Sequence, residues 1–244
     1  MFNTVKKFII AGDSWADKAY TEQNFDKNTP QPDDFGLADC WTWTHDRCIT
    51  PGLGNLDLLD QLVALNLDPD LPIVWVWTEP GRDYARITGD TDPHGWMRRN
   101  DYFVSLRQEL EFETIDRIVQ QLPHNPIGFI GGLSDFPRGD FDGDNLIVLH
   151  PSWQQWIAEQ NNSKWFNIGW GASDVGWRHH EQGVKPAPAV LFAWDEQIKE
   201  WCWWQDQGWF CHEHPTPTAV TQFAQHLESH ITQWLDRLES SNNQ

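Results

Sequence analysis

Short apolar runs alternate with amphipathic stretches along most of the chain. Phe8, Ile9 and Ile10 form an apolar run rich in β-branched residues, which predicts a buried strand. Ala11 and Gly12 are small enough for a sharp turn, and Asp13 and Ser14 are both good helix N-caps. Residues 47–50 predict a short second strand. Pro51, Gly52 and Gly54 then make a turn. Leu56, Leu59, Leu62 and Val63 recur at helical spacing, so a helix is expected from about Asn55 to Leu65. Residues 72–78 (PIVWVWT) are apolar at successive positions, the pattern of a central parallel strand buried on both faces. Residues 101–122 carry Phe103, Leu106, Leu110, Ile115, Ile118 and Val119 near one helical face. Strands are expected at 126–130 and 145–149, and helices at 153–159 and 190–204. The last helix, 218–238, has the clearest stripe: Val220, Phe223, Leu227, Ile231, Trp234 and Leu238. Segments 17–46, 84–100 and 161–188 are polar and read as long irregular connections. This alternation predicts a single α/β domain over 1–244 with four or five parallel strands.

The length allows one large core, and no Gly/Ser-rich or Pro-rich linker divides it. The formal net charge of −19 argues against nucleic acid or an anionic membrane as partner, since both need basic surface. No stretch approaches the ~20 apolar residues of a membrane span, and 8–10 is too short for a secretory segment. A cytoplasmic protein with reduced thiols is the expectation. Cys40, Cys48, Cys202 and Cys211 show no CxxC spacing, and four cysteines admit three pairings. Tryptophan is unusually abundant, with 17 residues, many in near-pairs such as Trp41 with Trp43, Trp75 with Trp77 and Trp153 with Trp156. Such rings either fill a core or line a cleft and stack on sugar or aromatic ligands.

The candidate chemistry gathers at the two ends of the chain. Ser14 is expected where the first strand turns into a helix, at the strand edge where open α/β sheets bind ligands. Gly54 and Asn55 stand at a helix N-terminus, where backbone N–H groups favour an anion. His214, followed by Pro215, Thr216 and Pro217, precedes the last helix and offers an imidazole with a pKa near neutrality. Arg82 and Asp83 follow the central strand and are expected to pair across a turn. Asp140, Asp142 and Asp144 lack the glycine and glutamate positions of a calcium loop. Cys202, Cys211, His212 and His214 are zinc-ligand types, but their spacing matches no standard zinc pattern. No metal and no cofactor is expected.

Gly12-Asp13-Ser14 after an opening strand, a glycine turn at Gly54 and His214-Pro215 before the final helix resemble the GDSL/SGNH hydrolase family. The resemblance implies a flavodoxin-like, three-layer α/β/α sandwich that cleaves esters through an acyl-serine intermediate. It implies Ser14 as nucleophile, His214 as general base, and the backbone N–H groups of Ser14 and Gly54 as oxyanion donors. Two positions depart from the family pattern. Glu79 stands about where the family has an asparagine that donates to the oxyanion, which leaves Asn55 or Thr78 as substitutes. Cys211 stands where the family has an aspartate that orients the histidine, which leaves Glu213, Asp206 or a backbone carbonyl for that task. A Ser–His dyad acting on short-chain acyl esters is the expected function, with O-acetyl groups on a glycan as one substrate class. The alternatives are a catalytically impaired carbohydrate-binding module on the same fold and, less well supported, a Cys/His metal-binding protein. The expected partner is a small-molecule or glycan ester, with neither nucleic acid nor membrane.

Overall fold

In the computed structural model the described residues are 7–13, 16, 36–41, 44–50, 53–78, 83, 86, 100–132, 136–137, 141, 145–160, 163–164, 192–195, 200–203, 210–211 and 214–241. At 44–45, 100–108, 154, 158, 163–164, 192–195, 200–203, 210–211 and 214 the description is of the backbone alone.

Five parallel strands form the centre: β1 (Lys7–Gly12), β2 (Thr44–Ile49), β3 (Ile73–Trp77), β4 (Ile127–Gly131) and β5 (Leu146–His150), in the order β2-β1-β3-β4-β5. Strands β3 and β4 are buried at every position, so both faces of the sheet must be covered. Alternate residues go to alternate sides. Ile9, Ala11, Trp75, Trp77 and Phe129 pack beneath α1 (Asn55–Ala64) and α2 (Asn100–Gln121). Phe8, Ile10, Val74, Val76 and Ile130 pack beneath α3 (Trp153–Gln160), α4 (Pro217–Ser241) and a 3-10 turn at Leu37–Cys40. The result is the three-layer α/β/α arrangement with an all-parallel central sheet. Helix α1 stops at Asn66, whose φ of 48° is the left-handed value that ends many helices.

Helix α4 runs antiparallel to the strands. Phe223 and His226 lie against His150 at the end of β5, with ring centroids 5.3 and 5.2 Å away. About three turns later, Trp234 lies 3.1 Å from where a side chain on Gly128 would begin, near the start of β4. The start of α4 is therefore at the carboxyl ends of the strands.

Two expectations are corrected. Strand β2 begins at Thr44 rather than at residue 47, and the 3-10 turn also falls inside the segment expected to be irregular. The helix expected over 190–204 is instead two antiparallel strands, β7 (Phe192–Asp195) and β8 (Glu200–Trp203), joined to β6 (Ser163–Lys164) in a small separate sheet. Their register sets Phe192 opposite Trp203 and Trp194 opposite Trp201. A strand period of two competes with the helical period in that run, and the strand pairing prevails. A short ribbon, β9 (Phe210–Cys211) and β10 (His214–Pro215), precedes α4 and sets His214 opposite Cys211.

Candidate functional site

In this strand order the chain leaves β1 and β3 toward opposite sides of the sheet, which opens a crevice at their carboxyl ends. Asp13 follows β1, Thr78 follows β3, and both are fully buried. The Thr78 hydroxyl donates to Asp13 Oδ2 at 2.8 Å, bridging the crevice floor, with the Leu53 carbonyl at 3.3 Å as a second acceptor. Gly12 is needed just before this point. A Cβ there would stand 2.6 Å from that of Ala16 and 3.0 Å from that of Val76. The Ala16 N–H donates back to the Asp13 carbonyl at 3.0 Å.

The neighbouring wall of the crevice is the N-terminus of α1. Gly54 is its N-cap, in extended conformation, and a glycine has no side-chain oxygen for the orphan N–H groups of the first turn. Asp83 supplies the missing acceptors from a distant part of the chain. Its Oδ2 takes the Asn55 N–H at 3.1 Å and its Oδ1 takes the Leu56 N–H at 2.9 Å. The Gly54 N–H points to Asp57 Oδ2 at 3.4 Å, the longest bond of the set. Arg86 holds the other Asp57 oxygen at 2.9 Å and Asp60 at 2.8 Å.

Asn55 ties these pieces together. Its amide nitrogen donates to Asp83 Oδ2 at 3.2 Å and to the Thr78 carbonyl at 3.3 Å. Its carbonyl oxygen accepts from Trp75 Nε1 at 3.1 Å and from the Thr78 N–H at 3.2 Å. Both donors and both lone pairs are thus engaged, as a fully buried amide requires. Asn55 and Thr78 were the expected substitutes for the family's oxyanion asparagine. The structure gives their side-chain donors internal acceptors, so an oxyanion would have to displace one of these bonds.

Burial pushes the Asp83 carboxyl up to about 6 from 3.8, against the Leu56 and Asn55 donors that pull it down; Asp57 adds a further push upward. Asp83 caps a helix; Arg82, with which it was expected to pair across a turn, lies outside the described residues. No local spacing announces this role, because residues 55 and 83 meet only once β3 is in place between their segments.

Ser14, Glu79, Asp206 and Glu213 lie outside the described residues, as do the side chains of Cys211 and His214. His214 lies three residues before the first residue of α4, and so its backbone approaches the same strand-end rim as Asp13 and Asn55. The side chains of the zinc-type set and the three aspartates at 140–144 also fall outside what is described. Among the described residues no group of three or more His, Cys, Asp or Glu side chains could hold a metal ion.

The tryptophans whose side chains are described are core residues. Trp75, Trp77, Trp153 and Trp234 are fully buried and Trp41 and Trp156 nearly so. Cys40 and Cys48 are free thiols. Burial and the neighbouring Asp39 push Cys40 up to about 11, against a hydrogen bond to Thr221, and burial raises Cys48 too. Both are poor nucleophiles at neutral pH. No helix among the described residues is long and apolar enough to cross a membrane.

The chain matches no protein-family model, no curated protein and no solved structure.

Proposed function

We propose that the protein is a serine hydrolase that cleaves short-chain acyl esters, with Ser14 as nucleophile and His214 as general base. The observation that carries the reading is the shared rim. The end of β1, the N-terminus of α1, the end of β3 and the lead-in to α4 all lie at the carboxyl ends of the strands. Residues 14 and 214, remote along the chain, adjoin two of these four points.

In the proposed reaction the Ser14 hydroxyl attacks the acyl carbonyl while its proton passes to His214. The oxygen of the tetrahedral intermediate carries the negative charge, stabilised by the backbone N–H groups of Ser14 and Gly54. Gly54 suits this role because its N–H holds only a 3.4 Å bond to Asp57, which an oxyanion can replace. The C–O bond to the alcohol then breaks, and His214 returns the proton to the leaving oxygen. Water, deprotonated by the same imidazole, hydrolyses the acyl-serine. A neutral acetylated glycan suits the strongly acidic protein better than a polyanionic substrate.

The engaged donors of Asn55 and Thr78 favour one competing reading, a carbohydrate-binding module that has lost its chemistry. Hydrolysis of p-nitrophenyl acetate decides between them. The esterase reading expects turnover that is lost in Ser14→Ala and in His214→Ala, with Ser14 labelled by a fluorophosphonate. Wild-type protein without turnover and without labelling overturns it.

A further inference from the structure

The grip of Asp83 on α1 reaches further than an ordinary helix cap. A usual N-cap is local and solvated, so a substitution there frays one turn. Asp83 lies 27 residues from Leu56, is fully buried, and shares Asn55 with β3. Asn55 in turn holds the Thr78 backbone from both sides, through its N–H and its carbonyl. Thr78 carries the bond to Asp13, the residue before Ser14. One carboxylate therefore stands at the head of a chain of bonds that ends beside the proposed nucleophile.

We propose that Asp83 is a positioning residue and acid switch for this rim: ionised, it pins the N-terminus of α1 and the end of β3 in one arrangement, and protonated it lets go. The chemistry lies in the count of acceptors. The carboxylate accepts three N–H bonds, from Asn55 N, Asn55 Nδ2 and Leu56 N. Protonation turns one oxygen into a hydroxyl, which takes away acceptor capacity exactly where two backbone donors have no other partner in the helix. Among the described residues the charged group that acts on it directly is a carboxylate. Asp57 of α1 repels the ionised form, Asp13 lies beyond Thr78, and Arg86 is occupied by Asp57 and Asp60. Burial raises the Asp83 carboxyl to about 6, within reach of mild acid.

The inference rests on the esterase reading for its catalytic part, and two measurements keep the two apart. The first needs no activity: the backbone amide signals of Asn55 and Leu56 are followed by nuclear magnetic resonance from pH 8 to pH 4.5. The expected result is a titration with a midpoint near 6 in wild-type protein and a flat response in Asp83→Asn. The second is the pH profile of p-nitrophenyl acetate hydrolysis. With His214 and Asp83 both favoured in one ionisation state, log(kcat/KM) falls more steeply than the slope of one that a single group gives over the one to two pH units below the Asp83 midpoint, and Asp83→Asn restores a slope of about one. The variant also loses about 10- to 100-fold in kcat at pH 8 with KM nearly unchanged, the signature of misplaced groups rather than lost binding. Amides of 55 and 56 that ignore pH in wild-type protein overturn the proposal, as does a wild-type slope of one. If Asp83→Asn does not fold, those two wild-type observations still decide. Protein that titrates as expected but hydrolyses no ester sinks the esterase reading and leaves Asp83 as the pin of α1 alone.

Discussion

The two faces of the sheet bury polar groups by opposite means. On the α1 side a carboxylate, an amide and a hydroxyl are joined by directional hydrogen bonds among Asp83, Asn55, Thr78 and Asp13. On the α4 side the titratable group packed against the core is the half-buried His150, and its surroundings are rings. Phe223 meets it edge-on at 5.3 Å and is itself stacked on Trp153 at 4.5 Å, while His226 lies 5.2 Å away with His230 beyond it. The Ser152 N–H donates to His150 Nδ1 at 3.3 Å, which requires that nitrogen to be unprotonated. Burial first, then the neighbouring His226 and His230, push His150 down to about 4. The first face is specified by directional bonds, the second by shape and exclusion of water. Both kinds of burial oppose charge, but for an acid and a base that has opposite consequences for stability.

The largest test of the contrast is to empty each face at its centre. Phe223→Ala removes a fully buried ring from the aromatic stack and is expected to cost about 3–5 kcal/mol in urea unfolding. Asn55→Ala leaves the Trp75 indole N–H and the Thr78 N–H without acceptors and is expected to cost about 2–4 kcal/mol. If Asn55→Ala costs under about 1 kcal/mol, the polar lock contributes little, and the contrast between the faces is one of geometry only.

Next is the response to acid. His150 binds its proton near 6.5 when unfolded and near 4 when folded, so between those values the unfolded chain carries more protons. Its contribution is complete above about 6.5 and is lost as pH falls toward 4. Asp83 runs the other way. It binds its proton near 3.8 unfolded and near 6 folded, so acidification through that window favours the folded chain. Each effect is about 3 kcal/mol at full extent. The two largely offset each other in wild-type protein, and single variants should expose them. Relative to wild type, His150→Leu should gain stability as pH drops from 6.5 to 4, and Asp83→Asn should lose it from 6 to 4. Thermal melts across this range check both, and parallel curves for all three proteins would contradict the assignment.

The smallest effect separates two tryptophans of one strand. Trp75 Nε1 donates to Asn55, while Trp77 Nε1 has no acceptor among the described residues. Trp75→Phe should cost about 1–2 kcal/mol more than Trp77→Phe, because only the first leaves a buried oxygen short of a donor. Equal costs would mean that the Trp75 bond adds nothing beyond packing.

Much of the architecture could be read from residue order alone. The apolar run 72–78, the stripe of α4 and the 3.6-residue period of α1 dictate their own elements, because burying those faces permits little else. The run 190–204 shows where such reading fails. Its apolar positions suit both a helix and a pair of short strands, and only the pairing of 192–195 with 200–203 chooses between them. Gly54 was visible as a helix start, since a glycine turn before a leucine stripe is a local signal. The Asp83 cap was not, because it joins positions 27 and 28 residues apart.

What the amino-acid order by itself determined is the α/β class and, outside the run 190–204, which segments become the strands and helices around the central sheet: local periodicity and burial suffice for that. What only the tertiary structure decided is the wiring of the rim. The order β2-β1-β3-β4-β5 brings residue 13 beside 78 and residue 55 beside 83, and desolvation there turns an ordinary aspartate into a group that titrates in mild acid. The reason is physical: hydrogen-bond partners and local polarity are properties of neighbours in space, and at this rim the neighbours come from separate stretches of chain.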